Sequence, residues 1–327
     1  MKSGAPKAIT KRDLRRLLAN RSLIGIDDNP RMYHLPSGYW VYDEMLSALR
    51  NSGWVRFAPG FKAALFGKEG SRHCIKILGM GVGENPLYFV ERGYYLEHER
   101  RMLERFRSAG FVFGPSVLSM EDSIRLLVDE GGVSIRQAEL RVTHHDVLAM
   151  EYINGIPFAT QTGQHINYDL EIVEFDQELL TDVLVALSRL RRELESANSA
   201  GLLHNDPMPP NIIFGLDNNE SLRAWLVDFE LAQDLAGPSP DYVNNSVAEL
   251  YWERNVPLNV HTGKYVKNLD QHLINECIRV VREFIPIATK MRDVADSLEG
   301  VSVSVAIPFI AGISFNLGRF LKLLRRR

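Results

Sequence analysis

The stretch Leu203-His204-Asn205-Asp206-Pro207-Met208-Pro209-Pro210-Asn211-Ile212-Ile213-Phe214 puts an aspartate and an asparagine on one short loop. Pro207, Pro209 and Pro210 stiffen that loop and argue against a helix through it. Seventeen residues after Asn211, Leu226-Val227-Asp228-Phe229-Glu230 sets a further aspartate at the end of an apolar strand. Phosphoryl transfer from a nucleotide needs such a set. One carboxylate accepts or orients the acceptor hydroxyl, while another carboxylate and an amide oxygen hold Mg2+ against the phosphates. Asp and Asn on a short loop can face one metal, and an Asp from a neighbouring hairpin completes its coordination.

Working outward, residues 176–199 read as the clearest long helix of the chain and lead straight into the quoted loop. Trp54-Val55-Arg56-Phe57, Ala63-Ala64-Leu65-Phe66 and His73-Cys74-Ile75-Lys76-Ile77-Leu78 read as three strands, with turns at Pro59-Gly60 and between Gly67 and Gly70. Residues 91–108 carry Tyr95, Met102, Leu103 and Phe106 at helical spacing, closed by Gly110. Ser123 to Val128 and Asp146 to Tyr152 read as further strands. His144 and His145, on such a strand, would point to opposite faces and share no metal. The first half is therefore sheet plus one helix and the second mainly helical, divided at Asn154-Gly155. Residues 9–21 read as a short basic helix with Ile9, Leu14, Leu17 and Leu18 as its apolar positions.

In this order, strand lysine, helix glutamate, connecting strand, Asp/Asn loop and metal-strand aspartate, the chain resembles the protein-kinase-like superfamily over roughly residues 54–235. The resemblance implies an α+β bilobal fold with an antiparallel-sheet N-lobe over 54–153 and a helical C-lobe over 154–300. A basic extension (1–53) precedes them and an apolar/basic segment (301–327) follows. It implies ATP and Mg2+ as cofactors. Lys76 would contact the nucleotide phosphates, with Glu99 as its pairing partner and Glu97 the weaker choice. Met150-Glu151-Tyr152-Ile153-Asn154-Gly155 is similar to the hinge, so the Glu151–Ile153 backbone would meet adenine, under Cys74 as part of the pocket roof. Asp206 would orient the acceptor hydroxyl, Asn211 and Asp228 would hold the metal, and His204 would brace the loop.

The chain also departs from that pattern. Before Lys76 only Gly60 stands where a glycine-rich phosphate loop should be. Gly79-Met80-Gly81-Val82-Gly83 comes after the lysine and reads as a flexible connection. Glu230 replaces the glycine of Asp-Phe-Gly. His-Asn-Asp with Asp-Phe-Glu is similar to choline/ethanolamine kinases and aminoglycoside phosphotransferases. No Ala-Pro-Glu motif follows, and there is no room for a long activation loop. The compact span from Glu151 to Asp206, filled by a loop and one helix, instead resembles the lipopolysaccharide-core sugar kinases, the RIO kinases and the small kinase of the tRNA threonylcarbamoyl complex. The expected activity is transfer of the γ-phosphate to a hydroxyl of a small molecule, sugar or lipid headgroup. The alternatives are an atypical serine/threonine protein kinase and a nucleotide-binding pseudokinase module.

Composition sets the outer bounds. The chain has 327 residues, 45% apolar and 24% charged, which excludes a mainly disordered chain, a collagen-like repeat and a polytopic membrane protein. Cys74 and Cys277 are its only cysteines, so a disulfide scaffold and a Cys-rich zinc module are excluded and a reducing, cytoplasmic setting fits. Cys277 reads as a core thiol. The net charge of −3 conceals +6 over residues 1–22 and +5 over residues 319–327, which leaves −14 between them. An acidic body argues against nucleic acid binding through the core. Val301 to Gly318 is uncharged but broken by Pro308, Gly312 and Asn316. It reads first as a buried segment and second as a peripheral membrane contact.

Overall fold

The structure, a computed structural model, describes residues 9–19, 44–59, 63–78, 95–162, 165–168, 175–254, 256, 258–259, 264–265 and 268–297. It is a mixed α+β arrangement built around an antiparallel sheet. Strands β1 (Trp54–Pro59), β2 (Ala63–Lys68), β3 (His73–Leu78) and β4 (Val147–Glu151) pair in that order, all antiparallel. In this register Lys76 lies between Leu65 and Leu148, and Cys74 between Gly67 and Met150. The sheet is covered by α3 (Tyr95–Ser108), whose Leu96, Met102, Leu103 and Phe106 are buried. Two helices precede the sheet. Helix α1 (Lys11–Ala19) buries Leu14 and Leu18, and α2 (Glu44–Asn51) buries Met45, Leu46 and Leu49 near β1. The basic segment thus packs along one side, with Lys11 paired to Asp182 at 3.1 Å and Ile9 bridged to Phe175.

Between α3 and β4 the chain is helical. Residues 123–128, which read as a strand, belong instead to α4 (Met120–Arg125) and a π-helical turn over Leu126–Glu130. The cause is local. Ser119 caps α4 by accepting the Asp122 N–H at 3.0 Å, and Glu121 and Asp122 suit the first turn of a helix. Helix α5 (Ile135–Thr143) follows and ends at His144. The two histidines are therefore at a helix end and not on a strand, His145 having φ 56° in the tight turn into β4.

After Asn154, β5 (Gly155–Pro157) joins a second sheet of order β10-β9-β5, formed with β9 (Ile212–Leu216) and β10 (Leu222–Leu226). A hairpin of β6 (Ala159–Thr162) and β7 (His165–Tyr168) follows, so the span to Asp206 holds more than a loop and one helix. Helix α6 (Gln177–Ser199), capped by Asp176, packs against β10 and along α8 (Leu269–Ser297). The quoted loop lies between β8 (Leu202–Leu203) and β9, with a 3-10 turn at Pro209–Asn211. Its entry is tied by β8 to β11 (Gln233–Asp234), after which α7 (Asp241–Glu253) begins. Cys277 is buried in α8. Among the described residues no helix is long and apolar enough to cross a membrane. Residues 301–327 and Gly60 lie outside the described residues.

Candidate active site

Lys76 points off the centre of β3, and its Nζ lies 2.7 Å from Glu99 Oε2 and 2.7 Å from Asp228 Oδ1. Three elements distant in sequence meet there: strand β3, helix α3, and the residues just after β10. The Glu99 side chain is 1% exposed. Burial raises its pKa to about 7, opposed by Lys76 and reinforced by Asp228 and Glu230. Burial disfavours the Lys76 ammonium, but Asp228 and Glu99 outweigh it and hold the pKa above the ordinary lysine value. Glu97 lies two positions away on α3 and, among the described residues, forms no bond to Lys76, so Glu99 is the partner.

The Asp228-Phe229-Glu230 segment is fixed by its phenylalanine. Phe229 is 1% exposed and meets Phe106 edge-on at 5.2 Å and His204 at 4.5 Å between ring centroids. Its N–H donates to Glu99 Oε1 at 3.3 Å, tying the segment to α3. Gly114 makes room for the ring, because a Cβ there would lie 2.6 Å from Phe229 Cζ. Farther along, the buried His98 donates from Nε2 to the Ala232 carbonyl at 2.8 Å, its charged form disfavoured by burial. Asp228 itself adopts φ 65°, and Asn205 adopts φ 67°. Asp and Asn tolerate this left-handed region better than most residues, and two such positions within one cluster mark a backbone held against its preference.

Asp206 and Asn211 face each other across the loop. Asn211 Nδ2 donates to Asp206 Oδ2 at 2.8 Å and to the Asp206 carbonyl at 3.0 Å, and its amide oxygen has no donor among the described residues. The Val227 N–H donates to the Asn211 carbonyl at 3.0 Å, so the loop and the Asp228 segment are stitched together. Burial raises the Asp206 pKa well above the carboxylate range, and Asp228 and Glu230 push the same way. His204 is buried and neutral, its pKa lowered to about 4 by burial. Its Nδ1 accepts the Asp206 N–H at 3.3 Å.

Two residues that sequence reasoning missed hold this loop. Asp270, at the start of α8, accepts the His204 and Asn205 N–H groups at 2.9 and 2.6 Å. Oriented so that its oxygen accepts from Asn268, the Asn198 amide donates to Asp270 as well, at 2.9 Å. Burial lifts the Asp270 pKa to about 6 against those N–H donors. Asn205 Nδ2 in turn donates to the Leu231 carbonyl at 2.8 Å and to Gln233 Oε1 at 3.0 Å. Asp270 lies 66 residues beyond His204 in the chain, with no motif around it to mark the partnership.

The remaining expected positions, Cys74 and the Glu151–Ile153 backbone, lie on β3, β4 and the residues after it. Cys74 is buried with Sγ 3.7 Å from the Glu151 carbonyl, and burial pushes its thiol up to about 12. The Glu151 N–H donates to the Ser116 carbonyl at 2.8 Å and the Tyr152 N–H to the Arg72 carbonyl at 2.8 Å. Of the three expected backbone positions, Ile153 keeps its N–H without a partner among the described residues. A hollow of about 780 Å3 lies elsewhere, lined by α2 and Gly132, and shares no residue with the cluster. Among the described residues no group of three or more His, Cys, Asp or Glu could hold a metal by itself. The structure thus brings together Lys76, Glu99, Asp206, Asn211 and Asp228, and leaves Cys74, Glu151 and Ile153 beside them on β3, β4 and the residues after it. The chain matches no family model and no curated protein.

Proposed function

We propose that the chain is an ATP- and Mg2+-dependent phosphotransferase of bilobal, protein-kinase-like architecture, acting on a hydroxyl of a small molecule, sugar or lipid headgroup. The observation that carries this reading is convergence: Lys76 meets both Glu99 and Asp228 at 2.7 Å, while Asp206 and Asn211 are joined at 2.8 Å. No local preference of the chain requires residues from four separate segments to meet.

The donor set fits a dication. Asp228 is partly exposed, the Asn211 oxygen has no donor among the described residues, and Asp206, Asp228 and Glu230 repel one another in a way that bound positive charge relieves. Asp228 and Asn211 would hold Mg2+, which when bound draws charge from the phosphates; the nucleotide phosphates complete this partial set. Lys76, oriented by Glu99, is placed for the α/β-phosphates. The Glu151–Ile153 backbone is the adenine edge, with Ile153 N–H as its open donor and Cys74 beside it. Asp206 takes the proton of the acceptor hydroxyl as the acceptor O–P bond forms, the bond from the γ-phosphorus to the β-phosphate oxygen breaks, and ADP leaves.

A small acceptor is favoured by the segment after Asp228. Only residues 229–240 precede α7, and they are pinned at Leu231, Ala232 and Gln233 by Asn205, His98 and β8. That leaves no long loop to receive a polypeptide. The test is thermal melting with Mg-ATP, Mg-GTP and nucleotide without Mg2+, then ATP turnover over aminoglycosides, choline, core sugars, casein and the protein itself. The expected result is a Mg2+-dependent shift, lost in Asp228→Ala, and turnover raised by one of the small acceptors. No shift with any nucleotide in folded protein overturns the reading in favour of a pseudokinase module. Turnover raised only by casein overturns the choice of acceptor.

A further inference from the structure

Arg254 follows the last residue of α7, and its N–H donates to the Leu250 carbonyl at 2.9 Å. A cation at a helix C-terminus is favoured by the carbonyls there, which accounts for the backbone position. It does not account for the side chain, which turns inward onto the loop carrying Asp206. Nη2 lies 3.1 Å from Met208 Sδ, and Met208 in turn donates its N–H to the Asp206 carbonyl at 2.8 Å. Nε is buried without a hydrogen-bond partner. A thioether is a weak acceptor, so the guanidinium is held against the loop by one weak bond, with its buried Nε unsatisfied. Among the described residues Arg254 forms no ion pair, whereas Lys76 is already engaged by Glu99 and Asp228 and Arg105 by Asp234.

Arg254 is also the cation that acts on Asp206, where Asp228 and Glu230 act as anions. Among the described residues it forms no ion pair with that carboxylate. Any phosphoryl group that reaches Asp206 meets three carboxylates, and Arg254, which forms no ion pair among the described residues, is positioned to offset them. The planar fork of arginine suits a pair of oxyanion oxygens.

We propose that Arg254 is an oxyanion-binding residue beside Asp206, taking oxygens of the phosphoryl group in transfer or of an acidic substituent on the acceptor. The proposal rests on the phosphotransferase reading for its place in the reaction, but the anion site can be tested without it. Inorganic phosphate is titrated into the full chain at constant ionic strength, followed by calorimetry and melting, for the natural protein, Arg254→Met and Arg254→Lys. Phosphate binding weakened about tenfold or more in Arg254→Met and less in Arg254→Lys is expected. No binding to the natural protein, or equal binding by Arg254→Met, overturns the proposal. Should Arg254→Met fail to fold, Arg254→Lys against Arg254→Gln gives the same comparison at nearly constant size.

A Mg-ATP melting shift measured alongside separates the two ideas. If that shift is present and phosphate binding is indifferent to Arg254, only the arginine proposal fails. If the shift is absent while phosphate binding depends on Arg254, the oxyanion site stands and the phosphotransferase reading fails. Kinetics then distinguish the source of the oxyanion. A fall in kcat for ATP hydrolysis without acceptor points to the transferring phosphoryl group. A rise in KM for an acidic acceptor, not shared by a neutral one, points to the acceptor.

Discussion

The two flanks of the candidate site are held by different physics. On the sheet side, Lys76, Glu99 and Asp228 are joined by ion pairs of 2.7 Å, with the Phe229 N–H to Glu99 as a supporting bond. On the loop side, Asp206 is placed by the Asn211 amide, the neutral His204 ring and the backbone N–H groups fixed on Asp270. An ion pair depends on the protonation of both members and weakens when either is neutralised. Backbone N–H donors do not titrate, and a buried hydrogen-bond network resists until an acceptor is removed. The sheet side should therefore respond most to charge substitution, and the loop side to loss of an acceptor.

The sharpest test of that contrast is turnover. Asp206→Asn and Asp228→Asn should each lower phosphate transfer on the order of 10³-fold, measured by a coupled ADP-release assay. Asp206→Asn should leave the melting temperature nearly unchanged, because Asn211 still has an oxygen to meet. Near-natural rates in both variants would sink the assignment of the cluster. Next in size, Asp270→Ala strips the acceptor from two buried N–H groups and should cost about 2–5 kcal/mol in urea unfolding. A cost below about 0.5 kcal/mol would show that the loop holds itself without α8.

Lys76→Met probes the other flank, where the cost should follow the ionisation of Glu99. The Glu99 pKa, already raised from 4.5 to about 7, rises further once its cation is gone. A carboxyl whose folded pKa exceeds its unfolded value contributes stability that is complete below the unfolded pKa and is lost as pH rises through the folded one. The variant should thus melt close to the natural protein at about pH 5 and lose on the order of 3 kcal/mol at about pH 8.5, where the buried Glu99 carboxylate stands without Lys76. Equal destabilisation at both values would place the cost in packing and not in charge.

The sequence carried the local part of this architecture and missed the long-range part, for reasons visible in single residues. The three strands around Lys76 and the helix of residues 177–199 follow from period and from caps such as Asp176. Residues 123–128 read as a strand because β-branched and aliphatic residues there suit one, while Ser119, which starts the helix, lies outside the apolar run. The motif residues Asp206, Asn211 and Asp228 are legible because their spacing is chemical. Asp270 and Arg254 are not. Each acts on the loop through a helix docked against it, and nothing within a few positions of either distinguishes it from an ordinary helix-end charge. Nor does the sequence show that Asp228 and Asn205 take up left-handed φ angles, which only the assembled loop imposes.

The smallest effect concerns Glu230, the residue that stands where a glycine is expected. Its carboxylate raises the pKa of Asp206, after burial and Asp228, and also that of Glu99. Transfer requires Asp206 ionised, so the acid limb of kcat/KM falls where Asp206 protonates. Glu230→Gln removes one of the anions that favour the protonated form, and the acid limb should move to lower pH, with the plateau rate little changed. The sign is fixed by charge alone: a limb that stays put would mean that Glu230 faces solvent, and one that moves to higher pH would mean that it lowers the Asp206 pKa through a bound cation. Asp228→Asn cannot serve here, since it removes a metal position together with the charge. Glu230 is therefore the substitution that separates the electrostatic share of the Asp206 shift from the share owed to burial, which dominates on the loop side.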